Sequence, residues 1–161
     1  MKESSGRTRK LLARVSVLFF ASLTVSPQVQ PAEAKFPVAR IGQSNLIKLE
    51  VAQTPDQIMR GLMFRTSMPE DAGMVFLFHP PQTVNFWMYH TLMPLDMLFI
   101  KDGKIIKLFQ AVPPCKSENP NDCAHYPDGP GLEVSEVIEV NSGYAQRHGV
   151  KEGDQVSFEL P

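Results

Sequence analysis

Apolar and polar positions first alternate at Ile47, Leu49 and Val51, which are separated by Lys48 and Glu50; a period of two is the mark of a half-buried strand. The next stretch, "TPDQIMRGLM", breaks that period. Thr54 suits an N-cap, Pro55 the first helical position and Gln57 the capping-box position, and Gly61 is placed to stop the helix after about two turns. "GMVFLF" (Gly73 to Phe78) is apolar on both faces and predicts a central strand, followed by a turn at Pro80 and Pro81. "NFWMYHTLMPLDMLFI" is almost wholly apolar, yet Pro94 interrupts it, and proline is excluded from the middle of a ladder. It therefore reads as two strands, Val84 to Tyr89 and Leu95 to Ile100, joined by a bend at His90 to Pro94. Asp102-Gly103 is a strong hairpin signal and pairs the second of these with Lys104 to Ala111. Glu133 to Val140 and Gly153 to Leu160 complete the strands, with a short helix between them capped by Ser142 and ended by Gly149.

About seven strands, two short helices and no β-α-β repeat predict an all-β domain: a mainly antiparallel β-sandwich or small barrel with helices at its edge. The N-terminal residues stand apart from that pattern. Arg7, Arg9, Lys10 and Arg14 precede the apolar run Val15 to Val25, and Ala32 and Ala34 fit the small-residue positions of a cleavage site before Lys35. This is the order of a secretory signal, and the run is short for the roughly 20 residues a spanning helix needs. The expected organisation is a signal peptide over 1–34, a linker over 35–44 and the β domain over 45–161. The compartment is then the periplasm, the thylakoid lumen in an oxygenic bacterium, or the exterior, with no stable membrane insertion after cleavage.

Removing the leader changes the charge. Sixteen Lys/Arg and seventeen Asp/Glu become eleven against fifteen, an acidic balance that argues against a nucleic-acid partner. Cys115 and Cys123 are the two cysteines, and both lie in the Pro-, Asn- and Asp-rich stretch Pro113 to Gly131. An exported pair in a long loop is expected to form a structural disulfide, not a redox pair, since C-x-x-C is absent.

Taken in order, "TPDQIMRGLMFRTSMPEDAGMVFLF", "FWMYHTLMPLDMLFI", "KDGKII" and "VIEVNSGYAQRHGVKEGDQVSF" resemble the DUF192 family, from Asn45 to Phe158. The resemblance implies a compact, jelly-roll-like β-sandwich, frequent export, and a biochemical activity that is not established. The family typically reads F-W-M-K-N-T where this chain has Tyr89 and His90 for the Lys-Asn pair.

Asp96 is the acid that needs explaining. Alternation puts it on the face of Leu98 and Ile100, where an ionised carboxylate needs a partner. Arg60 or Arg65 is expected to supply one, either as a buried pair tying helix to sheet or as part of a pocket for a polar ligand. Glu139 shares a face with Val137 and is expected to point into a cleft. Trp87 and His90 complete the candidate ligand-binding set of Arg60, Arg65, Trp87, His90, Asp96 and Glu139. No H-x-H, H-E-x-x-H or G-x-S-x-G occurs, so neither metal nor cofactor is expected and no catalytic residue is assigned. The leading reading is a binding or accessory module for a small polar ligand or a protein partner, leaning away from an enzyme. The alternatives are an envelope or periplasmic hydrolase using Asp96 or Glu139 with Arg65, and a copper binder built on Met88, His90, Met93 and Met97.

Overall fold

The computed structural model describes residues 37–159. The expected signal peptide lies outside the described residues. The domain is all-β with two short helices: β1 (Val38–Ile41), β2 (Asn45–Ala52), α1 (Pro55–Arg60), β3 (Ala72–Val84), β4 (Phe86–Trp87), β5 (Leu95–Lys101), β6 (Lys104–Val112), β7 (His125–Tyr126), β8 (Leu132–Asn141), α2 (Tyr144–His148) and β9 (Val156–Glu159). Strand β1 falls inside the segment expected to be a linker.

One seven-stranded sheet, in the order β6-β5-β8-β3-β2-β1-β9, carries the fold, and β4 pairs with β7 in a separate ribbon. The sheet is mixed, because β2 and β3 run parallel while its other pairs are antiparallel. It curls until its two end strands meet. Lys104 bridges Gln155, the Val156 N–H donates to the Gly103 carbonyl at 2.8 Å, and Ile105 exchanges bonds with Asp154 and Gly153. Of the sandwich or small barrel expected, the sheet takes the form nearer the barrel, a single mixed sheet curled onto itself.

Closure creates an inside and an outside, and both are packed. The interior holds Ile47, Leu49, Val75, Leu98, Ile100, Ile138 and Val140, and is plugged by Tyr144 and Ala145 of α2. Outside, Met74, Phe76, Phe78, Leu95, Met97, Phe99 and Val137 form a second cluster under Leu62, Met88 and Met93. Gly73 to Phe78 of β3 and Leu95 to Ile100 of β5 therefore read as near-continuous apolar runs, because each is covered twice.

Local signals hold at α1, where Thr54 accepts from the Gln57 N–H and the Gln57 side chain reaches back to the Thr54 N–H at 3.1 Å. The Asp102-Gly103 hairpin also forms, with φ positive at both residues. Pro80 and Pro81 do not end β3: the strand runs on to Val84, with the register shifting between Leu77 and Gln82. The prolines occupy that bulge, where no ladder donor is required. Helix α2 is not capped by Ser142. Its N-cap is Gly143, at a φ of 79° that favours glycine, and its C-cap is Gly149.

Candidate functional site

Strand alternation delivers Asp96 to the interior face, where it is 0% exposed. No arginine meets it there. Its Oδ1 accepts from the backbone N–H of Ala111 at 2.8 Å and Gly143 at 3.2 Å, and its Oδ2 accepts from Ala145 at 2.9 Å. Gly143 offers no side-chain cap, so Asp96 caps α2 from a neighbouring strand, with its charge against the helix N-terminus. The same carboxylate secures Ala111, which sits at a φ of 51°. Asp96 is a structural hub that fixes helix and bulge to β5.

Arg65 is engaged elsewhere. Its guanidinium grips both oxygens of Glu50 on β2, at 2.5 and 2.7 Å, and this hydrogen-bonded pairing lowers the Glu50 pKa. The expected Asp96–Arg partnership is corrected on this geometry.

Glu139 projects from β8 to the outer face, opposite Met74 of β3 and Met97 of β5. It is 5% exposed, and burial among these apolar groups pushes its carboxyl up to about 8. It lines a cleft of about 30 Å³, room for one or two water-sized groups, together with Phe76, Phe86, Trp87, Tyr89, Thr91 and the Ile58 to Met63 segment. Two larger grooves open beside it. One, of about 380 Å³, runs along Ile58, Met59, Asn85, Phe86, Trp87 and His125. The other, of about 400 Å³, includes Glu50, Gln57, Arg60, Met63, Phe64 and Arg65.

Of the residues expected from sequence, Arg60, Trp87 and Glu139 line one cleft, and Arg60 and Arg65 line the groove next to it. His90 lies alongside, its ring 3.8 Å from that of Tyr89 and 4.8 Å from that of Phe64. Asp96 belongs to the other face of the sheet. It neighbours Val140 across the β5–β8 ladder while Glu139 neighbours Met97, so the two acids cannot act on one substrate atom. Met88, Met93 and Met97 are buried with phenylalanines in the outer cluster, where thioethers serve as packing. Among the described residues no group of three or more His, Cys, Asp or Glu could hold a metal ion.

Phe76 and Thr91 were missed as lining residues. Phe76 carries no signal, because an apolar strand residue facing a cleft looks like one facing the core. Cys115 and Cys123 are bonded as expected, and the Cys115 N–H donates to the Met88 carbonyl at 3.2 Å, tying the loop to the segment that carries Tyr89 and Thr91.

The sequence model of the family DUF192, described as an uncharacterized ACR, matches residues 38–158. Among solved structures, a proposed transcription regulator from Sinorhizobium meliloti 1021 is 34% identical with a TM-score of 0.64, covering 76% of this chain and 92% of its own. A protein of unknown function from Novosphingobium aromaticivorans DSM 12444 is 30% identical with a TM-score of 0.63, covering 83% of this chain and 94% of its own. No curated protein matches.

Proposed function

This chain belongs to the DUF192 family, and because membership brings a fold without an activity, we propose its function from the Glu139 cleft: an exported single-domain binding module that takes one small polar group there. The observation that carries this reading is a carboxyl 95% withdrawn from water (5% exposed), with burial alone acting on its titration, beneath an opening of molecular size. Buried polar groups are normally satisfied, as Asp96 is by three N–H donors. An acid held without such partners lowers stability and is retained where a ligand completes it.

The geometry does not favour the hydrolase alternative as set on Asp96 or Glu139 with Arg65. Asp96 accepts from backbone donors on the other face and Arg65 grips Glu50, so neither lines the cleft of Glu139. Export is supported by the leader pattern and by a disulfide, which persists in oxidising compartments. Among the described residues no helix is long and apolar enough to cross a membrane. Nucleic acid is left out of the proposal, since beyond residue 34 eleven Lys/Arg face fifteen Asp/Glu.

A thermal-shift screen of the purified protein against amines, amides, sugars, carboxylates and short peptides tests the binding role. At least one class should raise the melting temperature of the wild type and leave Glu139→Gln unmoved, since a ligand of the folded state stabilises it by mass action. No shift in any class would remove the binding reading. Cell fractionation with N-terminal sequencing of the recovered protein tests export, and a chain beginning at Lys35 is expected.

A further inference from the structure

Resting on the reading of the Glu139 cleft as a binding site, we propose that its ligand is a primary ammonium group on an apolar stem, with the ammonium against Glu139 and the stem along the groove of Ile58, Met59, Phe86 and Trp87.

Charge decides the head group, and the space beside Glu139 accepts it: about 30 Å³ admits a water-sized centre, which –NH3+ is. The walls decide its sign. Phe76, Phe86, Trp87 and Tyr89 line the cleft, and aromatic faces attract cations and repel anions. An ammonium also provides what a buried carboxylate lacks, a counter-charge that donates hydrogen bonds. The stem follows from continuity. Ile58, Met59, Phe86 and Trp87 line both the cleft and the groove of about 380 Å³, so a chain leaving the head group runs over apolar surface.

Other charges around Glu139 do not cancel the effect. On β5, Asp96 faces the barrel interior, and β3 presents Met74. Arg60 and Tyr89 line the cleft, and His90 packs its ring against Phe64 and Tyr89. Burial moves the Glu139 carboxyl upward, the direction opposite to that in which a paired guanidinium would move it.

Binding is then linked to one proton. The carboxyl is neutral below about 8, and it must ionise to pair with an ammonium. Affinity should rise about tenfold per pH unit up to that value and level off above it, then fall as the amine itself deprotonates near ~10.4.

Calorimetric titration of the purified protein with n-butylammonium, n-butanol and butyramide at pH 6, 7, 8 and 9 tests this. The expected result is saturable binding of the amine, an affinity gain of about fiftyfold from pH 6 to 8, and release of about one proton per amine at pH 7. Glu139→Gln, verified as folded by circular dichroism, should weaken amine binding at least about tenfold at pH 8. Trp87→Leu should weaken it less and keep the pH slope. Butanol or butyramide binding better than the amine at pH 7, or an amine affinity flat with pH, would overturn the ammonium proposal and leave the binding site standing. If no probe binds at any pH, both fall. Nα-acetyl-lysine methylamide run beside butylamine separates two sources of the same group: tighter binding of the lysine compound assigns a protein side chain, and tighter binding of butylamine a free amine.

Discussion

Asp96 and Glu139 lie on neighbouring strands, one facing the barrel interior and the other its outer face. Asp96 is ringed by three backbone donors. Asp96→Asn leaves one oxygen to accept and turns an NH2 towards N–H groups, so the variant should lose about 2–4 kcal/mol in urea denaturation while ligand binding at Glu139 is unchanged. Glu139 behaves oppositely. Its folded value, about 8, stands above the ordinary carboxylate value of 4.5, so its contribution to stability is complete below about 4.5 and is lost as pH rises towards 8. The loss approaches ~1.4 kcal/mol per pH unit in that window. Glu139→Gln should therefore melt higher than wild type at pH 8 and show a flatter profile between pH 5 and 8, measured by calorimetry. Glu50, lowered by Arg65, has the reverse sign, with stability present above the ordinary value and lost as pH falls, so acid melts separate the two. Alternation placed both Asp96 and Glu139 on the correct faces. Their partners were illegible, because a carboxylate met by backbone N–H groups from distant segments leaves no side-chain pattern to find. His90 is a case where the backbone explains a motif. Its φ is 55°, a region that Asn and His both tolerate better than most residues, so the family's Asn and this chain's His answer one conformational demand.

At the scale of elements, the loop between β6 and β7 is built into the site's wall. Its disulfide spans eight residues, the Cys115 N–H holds the Met88 carbonyl, and the Tyr89 hydroxyl donates to the Glu118 carbonyl at 3.3 Å. Replacing both cysteines by serine should cost about 2–3 kcal/mol of stability in the chain-entropy account. It should also weaken ligand binding at Glu139 by releasing Tyr89, and titration of the double variant checks that. Gly73 tests the ladder beside Glu139, where β3 meets β8. A Cβ there would come within 2.7 Å of the Glu139 carbonyl and 3.1 Å of Leu49 and Val140. Gly73→Ala should destabilise by about 1–3 kcal/mol in denaturant melts, as overpacking does. Elements with local chemistry were legible: the capping box of α1, the Asp102-Gly103 hairpin and the glycine that ends α2. Elements defined only by a distant neighbour were not. Strand β7 is two residues long and exists through β4, and β1 is a strand because β2 and β9 flank it.

For the whole molecule the decisive feature is the seam between β6 and β9. Hairpin signals made the antiparallel pairs readable, but the parallel β2–β3 pair and the closure join segments far apart in sequence, and register across such distances has no short-range code. Truncation after Lys151 removes β9 and leaves β1 and β6 with open edges. Size-exclusion chromatography should show the truncated chain self-associating, and its thermal transition should broaden, because unpaired edges recruit one another. The seam also sets an order in time. Of the described strands β9 is made last, and β1, made first among them, pairs with it across the length of the domain. Until β9 docks, the sheet is an incomplete arc with open edges at β1 and β6. The strand that shuts the ring is thus made after the rest of the sheet it joins, so closure comes as one late event that shields the edges of β1 and β6 together.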